Sequence, residues 1–296
     1  MRLPDLEGMT LFVKIVEIGS LSATGRALGL PKATVSRRLA DLESRLNVRL
    51  LNRSTRRLSL TDAGRVFHRR CVPIVAEAEA AESEMLATTG VPTGRIRVAA
   101  PLGLGQILLM PLLTEFLRHY PAVALDLDFA DRRFDVVGEG FDIAFRLGTL
   151  EDSALIARRL FTYRRLLVAS PDYLRDAPPL RTPDDLRAHG FVLVSPSNQD
   201  IALQTPEGEL VIRVAWRIAV HNILLVRDAA VAGHGVALIP DYVAAGDLSS
   251  GRLVPVLDEA TTPAVEANLV YPQARNRSVA VARLIDHCVD GLRPAR

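Results

Sequence analysis

Ser20-Leu21-Ser22-Ala23-Thr24-Gly25-Arg26-Ala27-Leu28-Gly29-Leu30-Pro31-Lys32-Ala33-Thr34-Val35-Ser36-Arg37-Arg38-Leu39 reads as a helix, a tight turn and a second helix. Ser20 is a helix N-cap type, and Leu21, Thr24, Gly25 and Leu28 share one face at helical spacing. Gly29 tolerates the left-handed backbone just past a helix end, Leu30 fills the corner, and Pro31 suits the first turn of the next helix. That helix is predicted from Pro31 or Lys32 to Leu46, with Val35, Leu39, Leu42 and Leu46 as its buried stripe. Its other face carries Lys32, Ala33, Thr34, Ser36, Arg37 and Arg38, with Ser22 on the first helix as a further contact. A major-groove reader needs that composition: guanidinium forks match guanine edges, short side chains permit close approach, and a helix N-terminus favours phosphate. A solvated helix face would also carry such charges, so the flanking segments decide between the two.

Residues 47–60 follow, with apolar runs at 48–51 and 58–60 around a polar tip. The pattern predicts a β-hairpin wing whose tip, with Arg53, Thr55, Arg56 and Arg57, contacts phosphates or the minor groove.

Together these residues resemble the LysR-type transcriptional regulators. The resemblance rests on Ala33-Thr34-Val35-Ser36-Arg37-Arg38-Leu39, Leu42-Glu43, Leu46, Arg49-Leu50-Leu51, Arg53, Thr55-Arg56 and Leu60-Thr61-Asp62-Ala63-Gly64. Thr24-Gly25 departs from it, since the family usually has two alanines there; Gly25 costs helix stability, about 1 kcal/mol relative to Ala.

Among 296 residues, 49% are hydrophobic, and no apolar run approaches the length of about 20 that spans a bilayer. Residues 1–10 contain Asp5 and Glu7 and lack the apolar core of a signal peptide, so a soluble, cytoplasmic chain with no membrane partner is expected. The two cysteines, Cys71 and Cys288, are far apart in sequence and give no disulfide or metal framework. Cys71 is expected to be a helix-packing thiol. A net charge of +2 hides an asymmetry: residues 1–70 hold 14 Arg and Lys against 6 Asp and Glu, and the remainder holds 22 against 28. Such a division suits a nucleic-acid module joined to an acidic sensory body.

Residues 6–18 form a support helix ended by Gly19. Residues 61–89 read as one long helix capped by Thr61 or Asp62, which would reach roughly 40 Å and is therefore assigned to dimerisation. Pro73 is expected to kink or split it near Arg69. A hinge follows at 88–94. Beyond it, apolar strands, among them 96–100, 143–147 and 211–215, alternate with helical patterns, including helices at 107–120, 135–140 and 223–232, which argues for parallel α/β sheets. The resemblance implies two Rossmann-like subdomains joined by two crossover strands, as in periplasmic binding proteins. The crossings are placed at 160–165 and 266–271, with a terminal helix at 278–289 returning to the first subdomain.

The expected fold class is thus α/β. A winged helix-turn-helix (1–62) precedes a linker and dimerisation helix with hinge (63–93) and an effector-binding domain (94–296). Subdomain I of that domain is about 94–162 and 270–296, and subdomain II about 163–269.

Ligands in open α/β sheets sit beyond the carboxyl ends of strands. Those ends are Pro101 to Gly105, Ala130 and Asp131, Arg146 to Gly148, Ser195 to Asn198, and His221 with Asn222. The expected effector is a small organic anion held by the amides of Leu102, Gly103 and Leu104 after Pro101, by Arg146, and by Ser195, His221 or Asn222. Leu102, Leu104 and Phe129 would supply apolar wall. Family members often carry Ser or Thr where Gly103 stands, so backbone contacts are expected instead. Arg146 reads equally as a rim arginine paired with Asp142 or Glu151, and His221 as a helix cap.

The leading reading is a sequence-specific transcriptional regulator rather than an enzyme. Its expected partners are double-stranded DNA, a small effector, itself as dimer and tetramer, and RNA polymerase. The alternatives are an enzyme with an appended DNA-binding domain, an effector-independent regulator, and a redox sensor. HExxH, CxxC, GxSxG and phosphate-loop signatures are absent from the sequence, and no metal or cofactor is expected.

Overall fold

The computed structural model describes residues 4–53, 58–86, 92–150, 155–205, 208–257, 261–273 and 278–292. The chain divides into two compact units: Met1–Gly94 with Phe134–Phe141 and Ala274–Val279, and Arg95–Arg133 with Asp142–Gln273 and Ala280–Arg296.

In the first unit, α1 (Leu6–Ile18) is capped by the Asp5 carboxylate, which accepts from the Gly8 amide at 2.9 Å, and ends at left-handed Gly19. Helix α2 (Leu21–Ala27) is capped by Ser20, and the turn through Gly29 returns the chain to α3 (Lys32–Leu46). Val35, Leu39 and Leu42 are buried against Leu11, Phe12, Val13 and Ile15 of α1. Two expected core positions are not buried: Leu28 lies past the end of α2 and Leu46 in the last turn of α3, each about two-fifths exposed. The last turn of a helix has outrun the domain beneath it, so its stripe position meets water.

The wing is a short ladder, β1 (Leu51–Arg53) antiparallel to β2 (Leu58–Leu60), with Leu51 opposite Leu60. Val48 stands outside the ladder and is exposed. Helix α4 (Asp62–Leu86) begins at Thr61, whose hydroxyl accepts from the Gly64 amide at 2.9 Å. It continues through Pro73 without a break, contrary to the expected split. One missing N–H is tolerated because Cys71, Val72 and Val75 are buried on either side of the proline. Burial also pushes the Cys71 thiol up to about 11.

The second unit holds two five-stranded sheets. The first contains β3 (Gly94–Ala100), β4 (Val123–Phe129), β5 (Ile143–Leu147) and β6 (Leu155–Tyr163), with β14 (Val265–Pro272) between β5 and β6. The second contains β7 (Arg165–Ala169), β8 (Gly190–Leu193), β11 (Ala215–Ala219), β12 (Val236–Pro240) and β13 (Val254–Pro255), in the order β11-β8-β12-β7-β13. Both are mixed rather than wholly parallel. β14 runs antiparallel to β5 and β6, and β7 antiparallel to β12, because these strands bring the chain across from the other sheet.

The chain crosses at Arg164 and returns before Val265, earlier than the expected 266–271, which lies inside β14. A separate hairpin, β9 (Asp200–Thr205) and β10 (Gly208–Arg213), takes up part of the stretch read as a single strand. Residues 136–140 form turns, not a helix.

In the first sheet's core, the terminal helix (Val279–Gly291) buries Ala280, Val281, Leu284, Ile285 and Cys288. They meet Leu104, Leu109, Leu113 and Phe116.

Gly64 illustrates how closely α4 approaches the wing. A β-carbon there would fall 2.0 Å from the Leu50 carbonyl oxygen, a backbone atom that cannot rotate away. Gly64→Ala is therefore expected to destabilise the first unit by about 1–3 kcal/mol despite the better helix propensity of Ala, read as a lowered midpoint in urea denaturation.

Candidate nucleic-acid interface and effector cavity

With Val35, Leu39 and Leu42 turned inward, helical geometry leaves Lys32, Ala33, Arg37 and Arg38 exposed and Thr34 and Ser36 half-buried. Ser22 on α2 is half-buried. Helices α1, α2 and α4 have side-chain caps, but no side chain caps α3, where Pro31 holds the N-cap position. The Thr34 amide is bonded to the Pro31 carbonyl at 2.9 Å, which leaves the amides of Lys32 and Ala33 as the anion donors of this uncapped end.

Arg38 lies 3.4 Å from Glu7, and Arg45 lies 2.8 Å from Asp5. Thr55, Arg56 and Arg57 lie outside the described residues, as does the side chain of Arg53. What holds the wing's base was not legible from spacing or composition. Glu43, on the far side of α3, accepts from the amides of Leu50 at 2.8 Å and Leu51 at 3.2 Å. The Thr61 hydroxyl meanwhile donates to the Arg49 carbonyl at 2.7 Å.

In the second unit a cavity of about 430 Å³ opens at the carboxyl ends of β3, β5, β8 and β12. Pro101, Gly103, Leu104, Asp131 and Leu147 line it from the first sheet's side, and Val192, Asn198, Ile201, Ile223 and Leu238 from the second's. Tyr163, Arg165 and Tyr242 line it beside the crossing at Arg164. Of the residues expected to bind an effector, Pro101, Gly103 and Leu104 are therefore together, while six lie outside the lining.

Each of the six has a local position. Leu102 packs into the second sheet's core, and its amide donates to Asp131 Oδ1 at 3.0 Å. This helix end is thus occupied by the protein's own carboxylate instead of offering all its amides. The ring of Phe129 covers Gly105, where a β-carbon would lie 2.5 Å from it. Arg146 precedes the cavity-lining Leu147 on β5, and strand alternation turns consecutive side chains to opposite faces. Ser195 bonds Ser197 at 2.8 Å, and it is Ser197 that reaches the lining. Asn222 caps α5 (Ile223–Val231), accepting from Leu224 at 2.9 Å, and His221 is exposed before it.

Gly103 also has a steric cause: a β-carbon there would come 2.6 Å from Ile223 Cγ2. Sequence reasoning missed Tyr163, Arg165 and Tyr242, whose only signal was nearness to the expected crossing. Burial raises the Tyr242 and Tyr163 phenols, reinforced at Tyr242 by neighbouring Tyr163, Asp241 and Asp131 and opposed at Tyr163 by Arg165. Both stay protonated near neutrality and can donate. Among the described residues no cluster of three or more His, Cys, Asp or Glu is placed to hold a metal ion. No described helix is long and apolar enough to cross a membrane.

Comparison with known proteins matches residues 6–65 to the family described as bacterial regulatory helix-turn-helix protein, lysR family. Residues 89–293 match the LysR substrate binding domain. An HTH-type transcriptional regulator of Xanthomonas campestris pv. campestris is 36% identical, with 97% of this chain and 86% of that protein covered. Among solved structures, the full-length virulence activator AphB of Vibrio cholerae is similar at TM-score 0.64 and 31% identity, covering 97% of this chain and 99% of that one. CrgA of Neisseria meningitidis is similar at TM-score 0.62 and 32% identity, covering 98% and 99%.

Glu43→Ala leaves the Leu50 and Leu51 amides without their acceptor. It is expected to lower stability by about 1–3 kcal/mol, and Glu43→Gln, which keeps one acceptor oxygen, by less. Chemical denaturation of the two variants side by side checks the order.

Proposed function

The chain belongs to the LysR family of transcriptional regulators, and from that premise we propose that α3 reads an operator while a small organic anion in the cavity modulates the response. One observation carries the DNA half of this reading. The helix buries Val35, Leu39 and Leu42 and presents an uncapped N-terminus with Lys32, Ala33, Arg37 and Arg38 exposed. Arg37 reads a base edge, and Arg53 and Arg56 hold phosphate. Lys32, Thr34, Ser36 and Ser22 supply shorter contacts to bases or backbone.

Pairing on a two-fold operator runs through α4. Its Phe67, Cys71 and Val75 face the core, whereas Val66 and Ile74 are about half exposed and form an apolar face for a second copy. The full chain assembles further, to a tetramer, and works in the cytoplasm beside RNA polymerase without catalytic turnover. The cavity's apolar walls and its arginine support an effector with a carbon skeleton and a negative charge.

Arg37→Ala is expected to cost about 1–3 kcal/mol on the operator and relax preference at one base pair, whereas Arg56→Ala weakens all sequences alike and lowers the salt slope by about one. Titrations against operator and scrambled DNA at several salt concentrations separate them; uniform loss from Arg37→Ala would refute its base-reading role. Ile74→Glu should shift the full chain toward monomer in sedimentation at micromolar concentration. An unchanged distribution would remove α4 as the pairing element.

A further inference from the structure

The charges lining the cavity are unevenly satisfied. Asp131 accepts from the Leu102 amide at 3.0 Å, and Asp200, at the rim, lies 3.5 Å from the Arg213 guanidinium. Arg165 lines the same cavity, and among the described residues its Nε is buried with no hydrogen-bond partner. Buried guanidinium N–H groups are seldom left so, since the donor has given up water for nothing. The planar fork of arginine matches a carboxylate in geometry and charge. The protonated hydroxyls of Tyr163 and Tyr242 stand in the same lining, and Leu104, Val192, Val194, Ile201, Ile223 and Leu238 supply apolar wall.

The position of Arg165 in the chain matters as much as its charge. It is the first residue of β7, directly after the crossing, and its backbone is pinned there. Its N–H donates to Thr262 Oγ1 at 3.0 Å and its carbonyl accepts from the same hydroxyl at 2.8 Å. Arg164 is held likewise, its N–H donating to the Asp241 carboxylate at 3.1 Å and its carbonyl accepting from the Asp241 amide at 2.9 Å. The guanidinium with the unpartnered Nε therefore grows from the strand that joins the two sheets, at the level of the return crossing.

Resting on the reading of this cavity as the effector site, we propose that Arg165 recognises the acid group of a monocarboxylate whose apolar body lies between the two sheets. Holding the acid at the crossing makes the ligand sensitive to how far the sheets stand apart, because its body must still reach both walls. Cleft opening then becomes the variable that binding selects.

Calorimetry and thermal shift on the full chain test this with benzoate, phenylacetate, hexanoate and their amides. The variants are Arg165→Gln, Arg165→Lys and Ala202→Phe, which fills the cavity from a small residue of its lining, with circular dichroism as the folding control. At least one acid is expected to bind, with its amide at least about tenfold weaker. Arg165→Gln should weaken that acid by about 10- to 100-fold, the range of a lost charge-assisted pair, and Arg165→Lys by less. Ala202→Phe should abolish binding.

Acid binding unchanged in Arg165→Gln but lost in Ala202→Phe overturns the role of Arg165 and leaves the cavity reading standing. Amides binding as tightly as their acids overturn the carboxylate class. Binding indifferent to Ala202→Phe, or no binding by any probe, overturns the cavity reading with it. Should Arg165→Gln fail to fold, Arg165→Lys binding as tightly as the parent chain, with the amides equal to the acids, overturns the proposal alone.

Discussion

Val35, Leu39 and Leu42 can leave water in only one direction, and the first unit is built on that fact. Burying side chains of this size stabilises by about 1.5–3 kcal/mol each, more than any exposed contact in the unit can offer. Seating them against Leu11, Phe12 and Ile15 fixes the rotation of α3 about its own axis. The outward arc with Lys32, Arg37 and Arg38 follows from that rotation and needs no interaction of its own. Glu43 lies on the same helix, one residue past Leu42, and its carboxylate takes two amides of the wing's base. Thr61 then ties the wing's other end to the start of α4. Reader, wing and connector are thus registered from one buried stripe.

The second unit obeys a different constraint. Two sheets share one chain, so two segments must cross, and a crossing strand enters its new sheet from the far side. This is why β7 and β14 run against their neighbours. Segments between sheets lose ladder partners, and side chains replace them. Thr262 completes the backbone of Arg165, and Asp241 that of Arg164. Thr262 is almost fully buried, as a hydroxyl can be when it both donates and accepts. Beside these crossings Tyr163, Arg165 and Tyr242 line the cavity, with the Tyr163 and Tyr242 rings edge to face at 5.3 Å.

The sequence was most readable where one period governs several turns. The helix pair at 20–46, its glycine turn and the strands at 96–100 and 143–147 lie close to where periodicity and turn chemistry placed them. The errors have local causes. Leu46 and Leu28 keep the helical period but lie where no partner surface remains. Pro73 signals a break only if the helix has nothing to hold it, and Cys71 and Val75 hold it. Strand alternation decided Arg146 against the cavity, a consequence of Leu147 facing it that no spacing rule could assign in advance. Asn222 read as a candidate ligand contact because polar residues at strand ends serve ligands and caps alike, and it serves as a helix cap; Asp131, read on the same ground, does line the cavity while taking the Leu102 amide. Arg165 was missed because it stood in a segment read as a boundary.

Gly103 connects the steric and electrostatic sides of the cavity. Its missing β-carbon lets the turn after β3 approach Ile223, on the opposite sheet's helix α5, more closely than any other residue would permit. A serine or threonine there would supply a hydroxyl for a ligand but would also wedge the two walls apart. With glycine, the backbone of the turn is partly committed to Asp131, and of the other polar groups in the lining Tyr163, Arg165 and Tyr242 stand beside the crossing, with Ser197, Asn198 and Asp200 on the second sheet's side. On the proposed reading of the cavity as an effector site, this arrangement places recognition at the crossing instead of at the mouth of the cleft. A ligand can shift a conformational equilibrium only by the difference in its affinity for the two states. Groups at a hinge move little as the cleft opens, so contacts made there hold the ligand in both states. The apolar walls, which separate as the cleft opens, carry the difference that makes binding informative.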